Sequence, residues 1–576
     1  MVTQAVVAQA VVTQAVVAQA VAKQTLTSPA TCSELTPVAL GSAAWRAPLR
    51  WEAQPGKLPS SDDPPGRRAE MSKAHSRLRE HLHTTQLLGS IQSSLYYDQN
   101  TAMPSGGASW RGEQLALLAK LLHGRQSSAA YADLVAEAEA DLTGDAPPQS
   151  HRNLQLLRQE LQRQQCLDPA LVGELAAAQA EGYAVWQRAR AQADFSLFAP
   201  ALERLVALRQ QQAAQLAPVE ATADGQARSA WETLAQRFEP EIGKQRLAVL
   251  FAPLRQRLPA LLERASSIPP GASQPWDLSR ESQEKLSSDL LDGWGYNSER
   301  CARALSPHPF STTLGPSDFR ITTRVVPGQP FSSFLATAHE WGHSRYEQGL
   351  PRSGEHWFPW PLGEATSMAV HESQSLFHEN RLARSEAFAE RWYPHFRQAL
   401  GRDPWSGAMG FWRDLNPIGP SLIRVEADEV SYCLHILLRY ELELALLDGE
   451  MPVAELPSQW NLRLRELMDI TPGHDGEGCL QDVHWSEGLF GYFPSYALGH
   501  LISAQLSEAM EMDLGPIETR LANRQDHLLI DWLAERVYPL GRSVNAEQLV
   551  EKVSGSTLTA EPFLKYLELK LERLLG

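Results

Sequence analysis

Residues 337–349 read TAHEWGHSRYEQG, and they restrict the fold more than any other stretch of the chain. Two histidines four apart meet on one face only if the backbone is helical, so His339 and His343 predict an α-helix whose imidazoles aim at a common point, with Glu340 turned slightly aside. The pattern predicts a helix from about Ser333, capped by Ser332 or Ser333, to Gln348, where Gly349 and Pro351 supply the stop. Phe331, Phe334, Leu335, Ala338 and Trp341 give this helix an apolar side next to the histidine face, which places the imidazoles where core meets cavity. Gly342 costs about 1 kcal/mol of helix propensity against alanine, so another part of the chain must approach closely there.

Two histidines do not hold a catalytic zinc; three protein ligands and one open position for water do. The segment LGEATSMAVHESQSLFHEN (362–380), read as a helix, has an apolar stripe of Ala365, Met368, Ala369 and Leu376, and Glu372 falls inside that stripe. A carboxylate buried there needs a cation, and a metal ion supplies one. Glu372 is therefore the expected third ligand, with Glu364 and Glu379 as competitors. His371 lies on the polar side of the same helix and is expected to support the ligands from outside. In such a site Glu340, too far round to ligate, becomes the base that takes a proton from water and passes it to the leaving amine of an amide.

The rest of the chain is a mainly α protein. From Met71 onward Leu, Ala, Gln, Glu and Arg recur at helical spacing, as in RGEQLALLAKLLHGR and RNLQLLRQELQRQQ. Breaks are expected at 144–150, 266–275, 306–319 and 469–478, each rich in Pro, Gly or Asx. DFRITTRVV (318–326) is rich in β-branched residues and predicts a strand beside the metal helix. Residues 1–70 differ: a ten-residue repeat with Gln at every fifth position, then a Pro- and Ser-rich stretch, which reads as a low-complexity, disordered extension before a domain at 71–576.

Charge and cysteine usage limit the partners. A formal net charge of −16 argues against nucleic acid, no apolar run is long enough to span a bilayer, and five widely spaced cysteines fit a reducing cytoplasm.

Taken in order, HPF (308–310), DFRITTR (318–324), HEWGH (339–343), HESQS (371–375), IRVEADEVSY (423–432) and QDVHWSEGLFGYFPSYALG (481–499) resemble the carboxypeptidase Taq family of zinc metallocarboxypeptidases. The opening LGSIQSSLYYDQNTAMPSGGASWRGEQLALL (88–118) is similar too, except that Tyr97 stands where the family leads one to expect Trp. The resemblance implies a large helical, gluzincin-like peptidase with a deep central groove and a small β-sheet next to the HExxH helix. It implies a homodimer that removes single residues from peptide C-termini with broad specificity, using one Zn2+, or another divalent ion such as Co2+, on His339, His343 and Glu372. It also selects Arg424 as the fork for the substrate's terminal carboxylate, against a plain ion pair with Asp428 and against Arg320 and Arg324 on the strand. The strand itself is a candidate for pairing with a peptide. His484, Tyr492 and Tyr496 are the candidate donors to the oxyanion of the tetrahedral intermediate, with His484 and Tyr496 favoured by the resemblance. The alternatives are an oligopeptidase that cuts internally and a catalytically silent helical scaffold that binds peptides.

Overall fold

Apolar residues spaced three to four apart drive the N-terminal part of the fold. The computed structural model describes residues 73–143, 146–222 and 224–576, so the reading of 1–70 as an extension, and part of the break at 144–150, lie outside the described residues. Helices Lys73–Thr101, Ala108–Ser127, Ala129–Ala140 and Pro148–Gln165 form a layer with its own small core, in which Leu78, Tyr131, Val135, Leu154 and Leu161 surround Trp360. Helices from Pro169 to the C-terminus build the main core. Side chains close many of their ends: Ser229 with Glu232 and Asn545 with Gln548 form capping boxes, and Asp428 accepts from Val430 N and Ser431 N.

The breaks at 266–275 and 469–478 follow helices Lys244–Ala265 and Leu456–Met468, as expected. The one at 306–319 is different, because it holds a strand. β1 (Cys301–Leu305), β2 (Ser311–Gly315) and β3 (Asp318–Thr323) make a sheet in the order β1-β3-β2, with β1 parallel and β2 antiparallel to β3. The predicted strand is β3, and its period of two is plain: Phe319 and Ile321 enter the main core, while Arg320 lies over the ring of Tyr97 at 4.9 Å. Tyr97 also meets Phe310 edge-on at 6.1 Å, so this residue ties the first helix to the sheet. Because β3 is central, both its edges are already paired; a peptide cannot add to it, contrary to the expectation from sequence.

The sheet braces the helix Ser332–Gly349. Thr323 Oγ1 donates to Ser333 O at 3.0 Å and Thr313 Oγ1 to Glu347 Oε2 at 3.2 Å. The helix starts without a side-chain cap: its N-cap is Phe331, while Ser332 Oγ accepts from Val326 N and Ser333 Oγ bonds Ser287 Oγ. Both serines are spent on neighbours rather than on their own helix.

Residues 362–380 are not one helix. The hydroxyl of Ser367 takes up Val370 N and starts the helix at Met368; it runs to Leu376 and continues as a π-helical turn over Phe377–Ala383. This short helix crosses the His339 helix at Gly342. A Cβ on Gly342 would stand 2.5 Å from Gln374 O and 2.6 Å from Ser375 Cα, so only glycine permits the crossing.

Candidate metal centre

The close crossing at Gly342 brings three side chains together. One ligand atom from each of His339, His343 and Glu372 lies within 4.8 Å of the others. His343 Nε2 is 3.5 Å from Glu372 Oε2, and His339 Nε2 is 4.0 Å from Glu372 Oε1. On its other side Glu372 presses on the helix Pro494–Leu514, where a Cβ on Gly499 would meet Glu372 Cγ at 2.9 Å. Two glycines, one on each flanking helix, thus make room for this segment: Gly342 for the backbone at Gln374 and Ser375, Gly499 for the stem of Glu372.

Outer partners fix the tautomer of each imidazole. Glu379 Oε2 faces His339 Nδ1 at 2.8 Å, which places the proton on Nδ1 and leaves the Nε2 lone pair free; Arg384 holds Glu379 in turn at 3.2 Å. The second chain runs through His371. Its Nε2 donates to Glu347 Oε1 at 3.1 Å, so its Nδ1 accepts from His343 Nδ1 at 2.5 Å, and the His343 Nε2 lone pair is also left free. Arg352 closes this chain on Glu347.

What remains is a cluster of buried polar atoms without hydrogen-bond partners: His339 Nε2, His343 Nε2, Glu372 Oε2 and Glu340 Oε2. Buried donors and acceptors are almost always paired, so the convergence of the His339, His343 and Glu372 atoms fits a group that would hold a cation. Two imidazole nitrogens and one carboxylate oxygen form the donor set of a catalytic metal site. Burial, together with the nearby His371, pushes His343 down to about 3 and so keeps it neutral, as a ligand requires. Burial would raise Glu372, but the imidazoles of His343 and His339 beside it hold it well below the usual carboxylate range. Glu340 goes the other way, since burial and the charges of Glu372 and Glu379 push it well above that range.

His339, Glu340 and Glu372 line a groove of about 470 Å³, whose other walls include Arg324, Glu379, Arg384, Glu426, Tyr432 and His500. Of the two competing ligands, Glu379 is the outer partner of His339, and Glu364 is bound to Arg542 at 3.0 Å on a different cavity. His371 stands behind His343, as the polar side of its helix suggested.

The three arginines are placed very differently. Arg424 is 2% exposed and does not pair with Asp428; its Nε and Nη2 donate to Asp482 Oδ1 at 3.0 and 2.7 Å and its Nη1 to Tyr432 Oη at 2.9 Å. Arg320 pairs with Asp318 beside it. Arg324 lines the groove and has no hydrogen bond or ion pair among the described residues. His484, Tyr492 and Tyr496 are buried behind the groove wall, with Tyr496 Oη 3.4 Å from His484 Nε2 and Tyr492 Oη without a partner. The polar side chains that do reach the groove from this side are Tyr432 and His500, which the sequence reading did not single out. The position of Tyr432 one turn into the helix Glu429–Leu447, directly after IRVEAD, was the available signal.

The profile of the carboxypeptidase Taq (M32) metallopeptidase family matches residues 77–571. The chain is 38% identical over 510 residues to thermostable carboxypeptidase 1 of Thermus thermophilus, covering 87% of this chain and 99% of that one. It is 32% identical to carboxypeptidase 1 of Bacillus subtilis, over 83% and 94% of the two chains. The crystal structure of an M32 carboxypeptidase from Deinococcus radiodurans R1 superposes with a TM-score of 0.81 at 31% identity, covering 88% of this chain and all of the other. Trypanosoma cruzi metallocarboxypeptidase 1 gives the same TM-score at 30% identity, over 87% and 99%.

Proposed function

Because the chain belongs to the carboxypeptidase Taq (M32) metallopeptidase family, and so is a peptide hydrolase of the metallocarboxypeptidase type, we propose that it is a zinc carboxypeptidase releasing single amino acids from peptide C-termini with broad specificity. The observation that carries the reading is the convergence of three partnerless ligand atoms, from His339, His343 and Glu372, beside a groove that His339 and Glu372 line. A divalent ion held there supplies Lewis acidity, polarising the scissile carbonyl and making water acidic near neutrality.

The protein's own groups do the rest. Glu340, one residue from His339 and facing the same groove, takes the attacking water's proton on its carboxylate and returns it to the leaving amine. Glu379 and His371 hold the ligating imidazoles in the tautomer that presents Nε2. Tyr432 is the groove-lining hydroxyl best placed to donate to the oxyanion, because it accepts from Arg424 and so keeps its own proton to give. His484, Tyr492 and Tyr496 back that wall through ring contacts. Arg324, uncommitted and in the groove, is the anchor for the free terminal carboxylate; Arg424, spent on Asp482, supports Tyr432.

A reducing, cytoplasmic setting accords with Cys166, Cys301, Cys433 and Cys479 being free thiols, and a homodimer with the family resemblance. No helix among the described residues is long and apolar enough to cross a membrane. Mass spectrometry of a mixed peptide pool, incubated with and without chelator, tests the reading. It predicts metal-dependent ladders shortened one residue at a time from the C-terminus; internal fragments would indicate an oligopeptidase, and an unchanged pool a silent scaffold.

A further inference from the structure

Outside the metal centre, two buried glutamates among the described residues have no ion-pair partner, Glu239 and Glu443, and they are bonded in different ways. Glu443 uses both oxygens: Oε2 accepts from Trp231 Nε1 and Gly491 N at 3.0 and 2.9 Å, and Oε1 from Trp485 Nε1 at 2.9 Å. Glu239 uses one. Its Oε1 accepts from Ala369 N at 2.6 Å and from Ser495 Oγ at 2.8 Å, while Oε2 has no hydrogen-bond partner.

Ala369 and Ser495 belong to different helices, and the hydroxyl of Ser367, the cap of the Ala369 helix, also favours the charged form of Glu239. Ala369 is in the first turn of Met368–Leu376, which carries Glu372; Ser495 is in the first turn of Pro494–Leu514, which carries Tyr496 and Gly499. The partial positive charge of a helix N-terminus favours an anion, and here two of them converge on one carboxylate, in place of a lysine or arginine. Burial pushes Glu239 up to about 7, against the pull of these donors.

The turn that holds Glu239 is itself rigidly tied. Gln236 closes it, donating to Ile242 O at 3.0 Å and accepting from Glu241 N at 2.7 Å. Phe238 O accepts from Met368 N at 3.3 Å, and the Phe238 ring meets Tyr492 edge-on at 5.0 Å. Residues 236–242 supply none of the groove-lining side chains and belong to none of the motifs, yet they grip the starts of both helices that enclose Glu372.

We propose that Glu239 is a positioning residue, which locks the Glu372 helix to the Tyr496 helix and thereby sets where the Glu372 carboxylate stands. The proposal rests on the metal-centre reading given above. Glu372 has no slack on its far side, where Gly499 leaves it just enough room, so a small slide between the two helices moves the ligand itself. Misplacements of this kind cost metal affinity and rate by factors of about 10–100.

The bonding pattern dictates the test. A glutamine at 239 keeps an acceptor for both donors and places its amide where the partnerless Oε2 was; a leucine keeps the bulk and loses both bonds. Full-length Glu239→Gln, Glu239→Leu and Ser495→Ala are compared by zinc competition against a chromogenic chelator, by kcat and KM on a C-terminally free peptide, and by the apo-protein Tm. The expected result is zinc affinity and kcat within about twofold of the parent for Glu239→Gln. Glu239→Leu should lose about tenfold or more in both with KM nearly unchanged, and Ser495→Ala should fall between. A folded Glu239→Leu protein with parental zinc affinity and kcat overturns the proposal, even if its Tm falls. Equal losses in the Gln and Leu variants overturn it as well. If Glu239→Leu does not fold, parental zinc affinity in Ser495→Ala overturns it and a loss there supports it. A parent protein that releases no amino acids contradicts the assigned activity, while the zinc titration still decides the role of Glu239.

Discussion

Two buried polar clusters lie close together in this fold, and they are finished in opposite ways. Around Asp482 the charges are met within the cluster: Arg424 and Arg439 both donate to its carboxylate, at 2.7 Å and 2.6 Å, Arg439 reaches His435 O at 2.8 Å, and the two atoms left without a hydrogen bond, Arg439 Nη2 and His484 Nδ1, still face Asp482 at 2.6 and 4.0 Å. Around His339 and His343 the outer links are as complete, running to Glu379 with Arg384 and to Glu347 with Arg352, but the inner atoms are left bare. A closed network of buried charge is framework; an open one, whose bare atoms all face one point, is a site. Buried charge alone marks neither.

Substitutions in the two clusters should fail in different ways. The largest effect is expected at the open cluster: His343→Ala removes a ligand, and metal analysis beside a peptide assay should find both zinc and hydrolysis lost. Glu340→Gln should keep zinc and lower kcat by about 10²–10⁴, the usual worth of a general base. Full activity in that variant would remove Glu340 from the mechanism. At the closed cluster the damage should appear as stability. Asp482→Asn leaves two buried guanidinium groups without a full counter-charge and should cost about 3–5 kcal/mol in denaturant unfolding of the metal-free protein. The two arginines hold the Asp482 carboxyl well below the usual range despite its burial. Its stabilisation is therefore present at neutral pH and lost only as strong acid protonates it, and Asp482→Asn should flatten that acid limb. The smallest effect belongs to the outer link. Glu379→Gln should weaken zinc binding by about 10–100-fold without abolishing it; no change would show that the His339 tautomer needs no carboxylate.

The open cluster was largely legible in the chain itself, because its constraints are local. His339 and His343 share a helical face through spacing alone, Gly342 signalled the crossing that Gln374 and Ser375 make, and Glu372 stood out as a charge within an apolar stripe. The limits of the second helix were not legible. Ser367 competes for the first turn, and the π-helical turn after Leu376 moves Glu379 to where it meets His339, a change no period of 3.6 anticipates. Nor could the sequence assign partners to Arg424. Asp428, four residues on, is the local choice, whereas Asp482 is brought in by packing between segments far apart in the chain. β1 and β2 were missed for a related reason: CARAL and STTLG carry weak strand preference and become strands by pairing with β3. Glu239 had no signal at all, since its two donors come from helices that start 129 and 255 residues later.

One cation shared by three side chains underlies the whole proposed chemistry. Crystals of the zinc-loaded protein, measured on both sides of the zinc absorption edge, locate that cation directly. The expected result is a single strong anomalous peak about 2.0–2.2 Å from His339 Nε2, His343 Nε2 and a Glu372 carboxylate oxygen. A peak bound instead by Glu379 or Glu364, or none between the two helices, would contradict it.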